Sequence, residues 1–215
     1  MQATKALRRI VRAIWRQTVP DNRASADFRL AAEKLRPGDI AVDCGANVGI
    51  YTAVMARSGA TVHAFEPDPV AFSALQRKFA LTKNVTLHKA AASNRNGRAK
   101  LYFHSDRESD PLALSQSSSL DALKTNVDKD CYSEVELVDF AAFIDRVGAI
   151  KLLKMDVEGH EIEIINHLFD HNRVSAISQA FVELHDRKNP ELKSVTDALR
   201  QRIALAKLPF DLTWH

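Results

Sequence analysis

Short apolar runs alternate along the chain with segments whose apolar residues recur every three or four positions. The first pattern predicts buried strands, and the second predicts helices that pack one face on a core. Predicted strands cover residues 40–42, 61–65, 85–91, 149–155, 177–184 and 210–214. Predicted helices lie at 28–35, 49–57, 72–79, 162–169 and 190–207. Since parallel strands need helical crossovers, this order predicts an α/β fold with a mostly parallel sheet and helices on both faces.

Residues 104–130 interrupt this alternation. Residues 105–110 are polar, Pro111 breaks the segment, and residues 116–119 are rich in serine. Such a stretch predicts a long loop or small insertion with little core of its own. Because ligands of open α/β sheets bind outside the carboxyl ends of the strands, a loop placed there commonly forms a lid or substrate wall. An ordinary surface loop is the alternative.

Residues 1–20 are predicted to form a separate, basic amphipathic helix. Its apolar face carries Leu7, Ile10, Val11 and Ile14, and its basic face carries Lys5, Arg9, Arg12 and Arg16. We expect the apolar face to dock on the domain or on a second subunit, which would give a homodimer. Peripheral contact of residues 5–16 with an anionic membrane surface is the alternative.

Residues 21–215 have the length and composition of one globular domain. The net charge is +3, but residues 1–20 carry five basic side chains and no acid, so the rest of the chain is slightly acidic. An acidic body argues against nucleic acid as a partner, and no apolar run is long enough to cross a bilayer. Cys44 and Cys131 lie far apart without a CxxC partner, which favours a reducing, cytoplasmic location.

The strongest local motif is Asp43-Cys44-Gly45-Ala46-Asn47-Val48-Gly49, which follows the first strand and opens a helix. Gly45 lets the backbone turn and a ligand approach, and Gly49 allows close helix packing. The motif lacks the middle glycine of G-x-G-x-x-G and Asp43 would repel phosphate, so a nicotinamide dinucleotide is disfavoured. A cationic ligand without phosphate, such as S-adenosylmethionine, suits the loop better. Glu66, which ends the next strand, is placed to accept both hydroxyls of a ribose.

Four segments, in this order, resemble the FkbM family of S-adenosylmethionine-dependent methyltransferases. They are residues 37–39, 43–49, 64–67 and 154–161, the last reading Lys-Met-Asp-Val-Glu-Gly-His-Glu. The resemblance implies a Rossmann-like class I methyltransferase fold with S-adenosylmethionine as its cofactor. The residues implied at the cofactor are Asp43, Gly45, Asn47, Gly49, Glu66, Pro67, Ala91, Ala92 and Asp156, with Ala91 and Ala92 beside the adenine.

Asp156, at the carboxyl end of the fourth predicted strand, is the predicted general base, or an anchor for the acceptor or cofactor. Methylation of an alcohol requires that its proton leave, and a nearby carboxylate assists this. Glu158 and His160, in the segment that follows, are the other predicted catalytic residues. The same rim is predicted to include Glu161, Glu183, His185 and Asp186. A divalent ion such as Mg²⁺ is therefore an alternative, although no metal ligand is assigned.

The resemblance implies O-methylation of a hydroxyl on a sugar, glycan or natural-product-like small molecule. N-methylation and the identity of the acceptor stay open, because residues 104–130 and the C-terminus match no specific motif. The alternative function is a non-catalytic scaffold of the same fold that docks a membrane or partner through its N-terminal helix.

Overall fold

The computed structural model describes residues 23–107, 109–112, 114–115, 118–120, 127–185 and 193–214. The helix predicted at 1–20 lies outside these ranges, as do Asp186 and parts of the predicted insertion. None of the helices in the described ranges is both long and apolar enough to cross a membrane.

In chain order the elements are α1 (Arg23–Glu33), β1 (Ile40–Cys44), α2 (Ile50–Ala56), β2 (Thr61–Phe65), α3 (Pro69–Phe79), β3 (Val85–His88), β4 (Ala90–Ser93), β5 (Gly97–His104), β6 (Val127–Asp139), α4 (Phe140–Val147), β7 (Leu152–Met155), α5 (Glu161–Asp170), β8 (Ala180–Val182), α6 (Lys193–Leu205) and β9 (Phe210–Asp211). The five helices that the periodicity predicts are all present. The additional helix, α4, is short and directly follows a strand.

Six parallel strands form the central sheet, in the order β3-β2-β1-β7-β8-β9. In the middle of the sheet, Cys44 of β1 pairs with Phe65 of β2 and with Met155 of β7. These three strands therefore end at the same level. The residues that follow them meet at one edge of the sheet, and they include Gly45, Glu66 and Asp156.

Helices cover both faces of the central sheet, so the predicted α/β architecture is confirmed. On one face, α1 and α2 pack around Phe28 and Met55 together with Trp214 near the end of the chain. On the other face, α4 and α5 bury Phe140 and Ile164. This sheet order leaves the carboxyl ends of the central strands as the place for a ligand site.

A second sheet, with the strand order β4-β6-β5, is absent from the prediction. The prediction of a single strand at 85–91 is wrong. The segment divides at Lys89 into β3, which belongs to the central sheet, and β4, which belongs to the second sheet. β6 also begins inside the loop predicted at 104–130. A search for continuous apolar runs does not detect β5 and β6, because polar, exposed residues alternate along both strands. These residues include Arg98, Lys100, Glu134 and Glu136.

Candidate active site

Position 45 requires a glycine because the backbone of Asp156, directly after β7, lies against it. Its φ of 76° is left-handed, and a β-carbon there would lie 1.8 Å from the carbonyl oxygen of Asp156. The amide of Asp156 in turn donates to the carbonyl of Cys44 at 3.1 Å. The loop after β1 and the residue after β7 therefore fit together directly.

Gly49 has the packing role predicted for it. A β-carbon at this position would lie 2.4 Å from the ring of Phe79 and 2.6 Å from Leu75, so α3 can approach only a glycine. Lys78 of the same helix donates to the carbonyls of Val48 and Gly49. The loop is thereby fixed against α3.

Glu66 lies where β2 ends and is 5% exposed. Its Oε2 accepts from the amide of Asn47 and its Oε1 from the amide of Asp68, both at 2.7 Å. Burial raises the pKa of Glu66 to about 8. In the ionised form each oxygen accepts more than one hydrogen bond, so both retain capacity for a diol.

The described part of the predicted insertion contacts the loop after β1 and the N-terminus of α3. The side-chain amide of Asn47 donates to Ser115 at 2.9 Å, and the backbone of Asn47 has a left-handed φ of 48°. Arg107 forms two hydrogen bonds with Asp68, which also caps α3 and accepts from Ser118. The guanidinium and the carboxylate are both buried. A buried ion pair thus attaches the insertion two residues from Glu66.

The insertion also reaches the opposite side of the site. Ser119 donates to the carbonyl of Glu158 at 2.9 Å, and its backbone pairs with Tyr102 of β5. The described residues of the insertion therefore contact both the loop after β1 and the segment after β7, and its role as a lid or wall stays a prediction.

Asp43 lies beneath the site. Its side chain is fully buried, Oδ2 accepts from Thr52 at 2.5 Å, and Oδ1 has no hydrogen-bond partner among the described residues. The place of Asp43 at the cofactor stays a prediction, and its burial favours an electrostatic effect over direct contact. Its charge acts on the site through Lys154, whose Nζ lies 3.5 Å from Oδ1.

Lys154 connects the two halves of the site. Its Nζ donates to the carbonyl of Gly45 at 2.7 Å and lies 3.6 Å from Oδ2 of Asp156. Burial alone would lower the pKa of Lys154, but the carboxylates of Asp156 and Asp43 outweigh it and raise that pKa. The buried ammonium therefore fixes the loop after β1 and the residue after β7 at once.

Asp156 has a partly accessible carboxylate, with 29% of its side chain exposed. Its Oδ1 is buried without a hydrogen-bond partner among the described residues. Burial raises the pKa of Asp156 to about 6, against the lowering effect of Lys154. A carboxylate with this pKa is ionised at neutral pH and can still accept a proton, as a general base must.

Glu158, Glu161 and His185 form a cluster beside Asp156. Glu161 is buried and accepts from the amides of Val157 and Gly159, so it holds the turn after β7. His185 Nε2 lies 3.3 Å from Glu158 and 3.8 Å from Asp156, and Nδ1 lies 3.2 Å from Glu161. The structure thus brings the predicted residues Asp156 and Glu158 together around a histidine.

His160 contacts the second sheet. Its Nε2 is 3.1 Å from the hydroxyl of Ser93 at the end of β4, and its Nδ1 is 3.7 Å from Glu163 on α5. Burial lowers the pKa of His160. His160 therefore contacts Ser93, whereas Asp156 and Glu158 lie beside His185, and a catalytic role of His160 stays a prediction.

Asp156, Glu161 and His185 have ligand atoms within 4.8 Å of one another, which is the spacing of a possible metal site. The contacts of His185 fit a different arrangement, because each ring nitrogen lies within 3.3 Å of a carboxylate oxygen, although Nδ1 makes no hydrogen bond among the described residues. A metal ligand offers one ring nitrogen as a lone pair, whereas an imidazolium donates from both. We therefore treat His185 as the cation of this cluster.

The small residues predicted beside the adenine are both buried in β4. Ala92 belongs to the core with Phe65 and Phe140, so it is a packing residue. Ala91 points to the other face of the strand. Pro67 is half-buried and links Glu66 to the cap of α3.

The sequence analysis did not predict the roles of three residues that have central positions in the site. Lys154 carried a signal, since it is a lysine inside the apolar run 152–155. His185 was placed on the rim but not between Glu158 and Glu161. Arg107 gave no signal, because its partner lies 39 positions away.

Comparison with known proteins gives a consistent result. A family described as the methyltransferase FkbM domain matches residues 43–208. The 31-O-demethyl-FK506 methyltransferase FkbM of Streptomyces tacrolimicus is 34% identical, over 71% of this chain and 68% of that protein. The hexuronic acid methyltransferase AglP of Haloferax volcanii is 27% identical, over 94% of this chain and 77% of that protein.

A third relative, methyltransferase 1 of Beauveria bassiana, is 28% identical over 68% of this chain. The match spans 65% of that protein, which is less than two thirds of its length.

Proposed function

Because this chain belongs to the FkbM methyltransferase family, we propose that it transfers the methyl group of S-adenosylmethionine to a hydroxyl of a small-molecule or glycan acceptor. The observation that carries the proposal is the placement of Glu66 and Asp156 at the carboxyl ends of β2 and β7, on either side of β1. One carboxylate suits a ribose and the other suits an acceptor.

The residues present fit S-adenosylmethionine in charge and in hydrogen bonding. Glu66 retains acceptor capacity for the two ribose hydroxyls. One oxygen each of Asp43 and Asp156 is buried without a hydrogen-bond partner among the described residues. The negative charge at this edge of the central sheet can therefore stabilise a sulfonium and an ammonium. The amides of Gly45 and Asn47 donate to the carbonyl of Phe65 and to Glu66, which fixes the loop beside Glu66.

When bound, S-adenosylmethionine supplies an electrophilic methyl group, which is displaced in line from sulfur as the positive charge disappears. Asp156 takes the proton of the acceptor hydroxyl at its accessible carboxylate. Lys154 helps to keep that carboxylate ionised, because its ammonium lowers the pKa of Asp156. The insertion, attached through Arg107 and Ser119, excludes water from above the strands.

The acceptor class is proposed from two lines of support. One relative is named for 31-O-demethyl-FK506 and another for hexuronic acid, so both names support a small-molecule or glycan acceptor. The raised pKa of Asp156 supports an alcohol, whose proton needs a base during transfer. A sugar hydroxyl satisfies both.

Calorimetric titration with S-adenosylmethionine and S-adenosylhomocysteine tests the cofactor. We expect binding of both, weakened at least about tenfold by Glu66→Ala, because a carboxylate paired with two hydroxyls contributes more than 1.4 kcal/mol. Glu136→Ala, at an exposed position of β6, is the control. A folded protein that binds neither compound would refute the proposal.

A further inference from the structure

Six ionisable side chains lie together across the carboxyl ends of β1, β7 and β8, and they comprise two basic residues among four carboxylates. We name this the charge row, and its members are Asp43, Lys154, Asp156, His185, Glu158 and Glu161. Lys154 Nζ lies 3.6 Å from Oδ2 of Asp156, while His185 Nε2 lies 3.8 Å from its Oδ1. Asp156 is therefore flanked by two basic side chains, one on each side.

Among the residues that the structure describes, the charged groups that face His185 are carboxylates. Glu161 at the start of α5 faces Nδ1, Glu158 in the preceding turn faces Nε2, and Asp156 after β7 lies beside Nε2. Only 7% of the His185 side chain is exposed. A neutral imidazole would direct a lone pair at a carboxylate, whereas an imidazolium presents an N–H on both sides.

We infer that His185 is a positioning residue of the methyl-transfer site, whose imidazolium holds the carboxylate of Asp156 and the turn of Glu158 on the acceptor side. The inference rests on the proposed function. Under this inference, the two basic residues of the charge row have different roles. Lys154 bonds to Gly45 and so fixes the loop on the cofactor side, while His185 contacts the segment that follows β7.

The electrostatics of the cluster support this assignment. Burial alone would lower the pKa of His185, but Glu158 and Glu161 outweigh it and raise the pKa to about 10. Glu183, Glu158 and Glu161 each raise the pKa of Asp156. An imidazolium 3.8 Å from Oδ1 of Asp156 adds a second positive charge, beside Lys154, against these three carboxylates.

Nitrogen NMR of the full chain labelled with [¹⁵N]histidine tests the state of the ring directly. The signal of His185 is assigned by its loss in His185→Gln. If that variant does not fold, the signal is assigned by its shift in Glu158→Gln. We expect both nitrogens of His185 to remain protonated from about pH 6 to about pH 8. A neutral ring at pH 7 would overturn the inference, whatever the protein methylates.

Kinetics then separate positioning from simple stabilisation. We expect His185→Gln to keep the Kd of S-adenosylhomocysteine within about threefold and to lower kcat about tenfold to a hundredfold, because small displacements of a catalytic group are costly. His185→Lys should restore part of kcat, since it returns a cation. His171→Gln, at an exposed histidine, is the control.

Each failure has a distinct signature. If wild-type protein does not bind S-adenosylhomocysteine, the proposed function fails. If binding is normal and His185→Gln has wild-type kinetics, the inference alone fails. Stoichiometric Mn²⁺ binding that His185→Gln abolishes would identify the ring as a metal ligand and overturn the inference too.

Discussion

A β-carbon on Gly45 would lie 1.8 Å from the carbonyl oxygen of Asp156, too close for the two atoms to coexist. The proposed cofactor loop and the proposed base are therefore in direct backbone contact. Lys154 strengthens this contact, because its ammonium bonds to the carbonyl of Gly45 and lies beside the carboxylate of Asp156. Changes on one side of the site are thus transmitted to the other.

Gly45→Ala is expected to separate these two segments. The methyl group collides with backbone and the left-handed φ is strained as well, so we expect unfolding free energy to fall by about 2–4 kcal/mol and S-adenosylhomocysteine binding to weaken. Gly148→Ala is the matched control, since its φ is 90° and no atom lies within 4 Å of the added carbon. Equal losses in urea denaturation of both variants would contradict the collision.

Lys154→Met leaves Asp43 and Asp156 without their shared cation. Removing one partner of a buried ion pair is strongly destabilising, and we expect a loss of about 3–5 kcal/mol in urea denaturation. Lys151→Met replaces an exposed lysine three residues earlier and should change stability little. A tolerated Lys154→Met would show that the two carboxylates need no counter-charge.

Arg107→Gln tests the attachment of the insertion. Because it leaves Asp68 buried without its ion pair, we expect residues 104–120 to open locally and to be cleaved by proteinase K at least about tenfold faster. The matched control is Arg98→Gln, which breaks an ion pair with Glu134 that is exposed on both sides. Unchanged cleavage would mean that Arg107 does not hold the insertion.

The pair His63 and His88 is expected to make the fold sensitive to acid. The rings lie 3.1 Å apart between Nδ1 and Nε2, and burial lowers both pKa values, that of His88 to about 4. The unfolded chain keeps the ordinary value of 6.5 and so binds more protons below it. Stability should therefore fall as the pH drops from about 6.5 to about 4.

Urea denaturation across this pH range checks the direction. His88→Gln should flatten the decline, whereas His171→Gln should not. An unchanged slope in His88→Gln would assign the acid sensitivity to other groups.

Much of the central sheet could be predicted because its strands are continuous apolar runs with helices between them. The second sheet could not, because β5 and β6 alternate exposed polar residues such as Arg98 and Glu134 with buried ones. The division at Lys89 could not be predicted either, because the hydrophobic pattern of residues 85–91 is that of one continuous strand. Partner choice between two sheets is a tertiary property that no local pattern carries.

Individual site residues could be predicted where a strand end places them. Glu66 and Asp156 were named in this way, and both lie at the expected edge. His160 was named by proximity in the chain, but the turn held by Glu161 directs it toward Ser93. The burial of Asp43 also follows from tertiary packing, because it depends on Thr52 and Lys154.

The most direct test of the account is methyl transfer from labelled S-adenosylmethionine to a panel of polyols and methyl glycosides by wild type and Asp156→Asn. We expect a methyl ether from wild type, with kcat about 10²- to 10⁴-fold lower in the variant and S-adenosylhomocysteine binding retained. Asp145→Asn, at an exposed carboxylate, should match wild type. Wild-type rates in Asp156→Asn, or no methyl ether from any hydroxyl while the cofactor binds, would contradict the account.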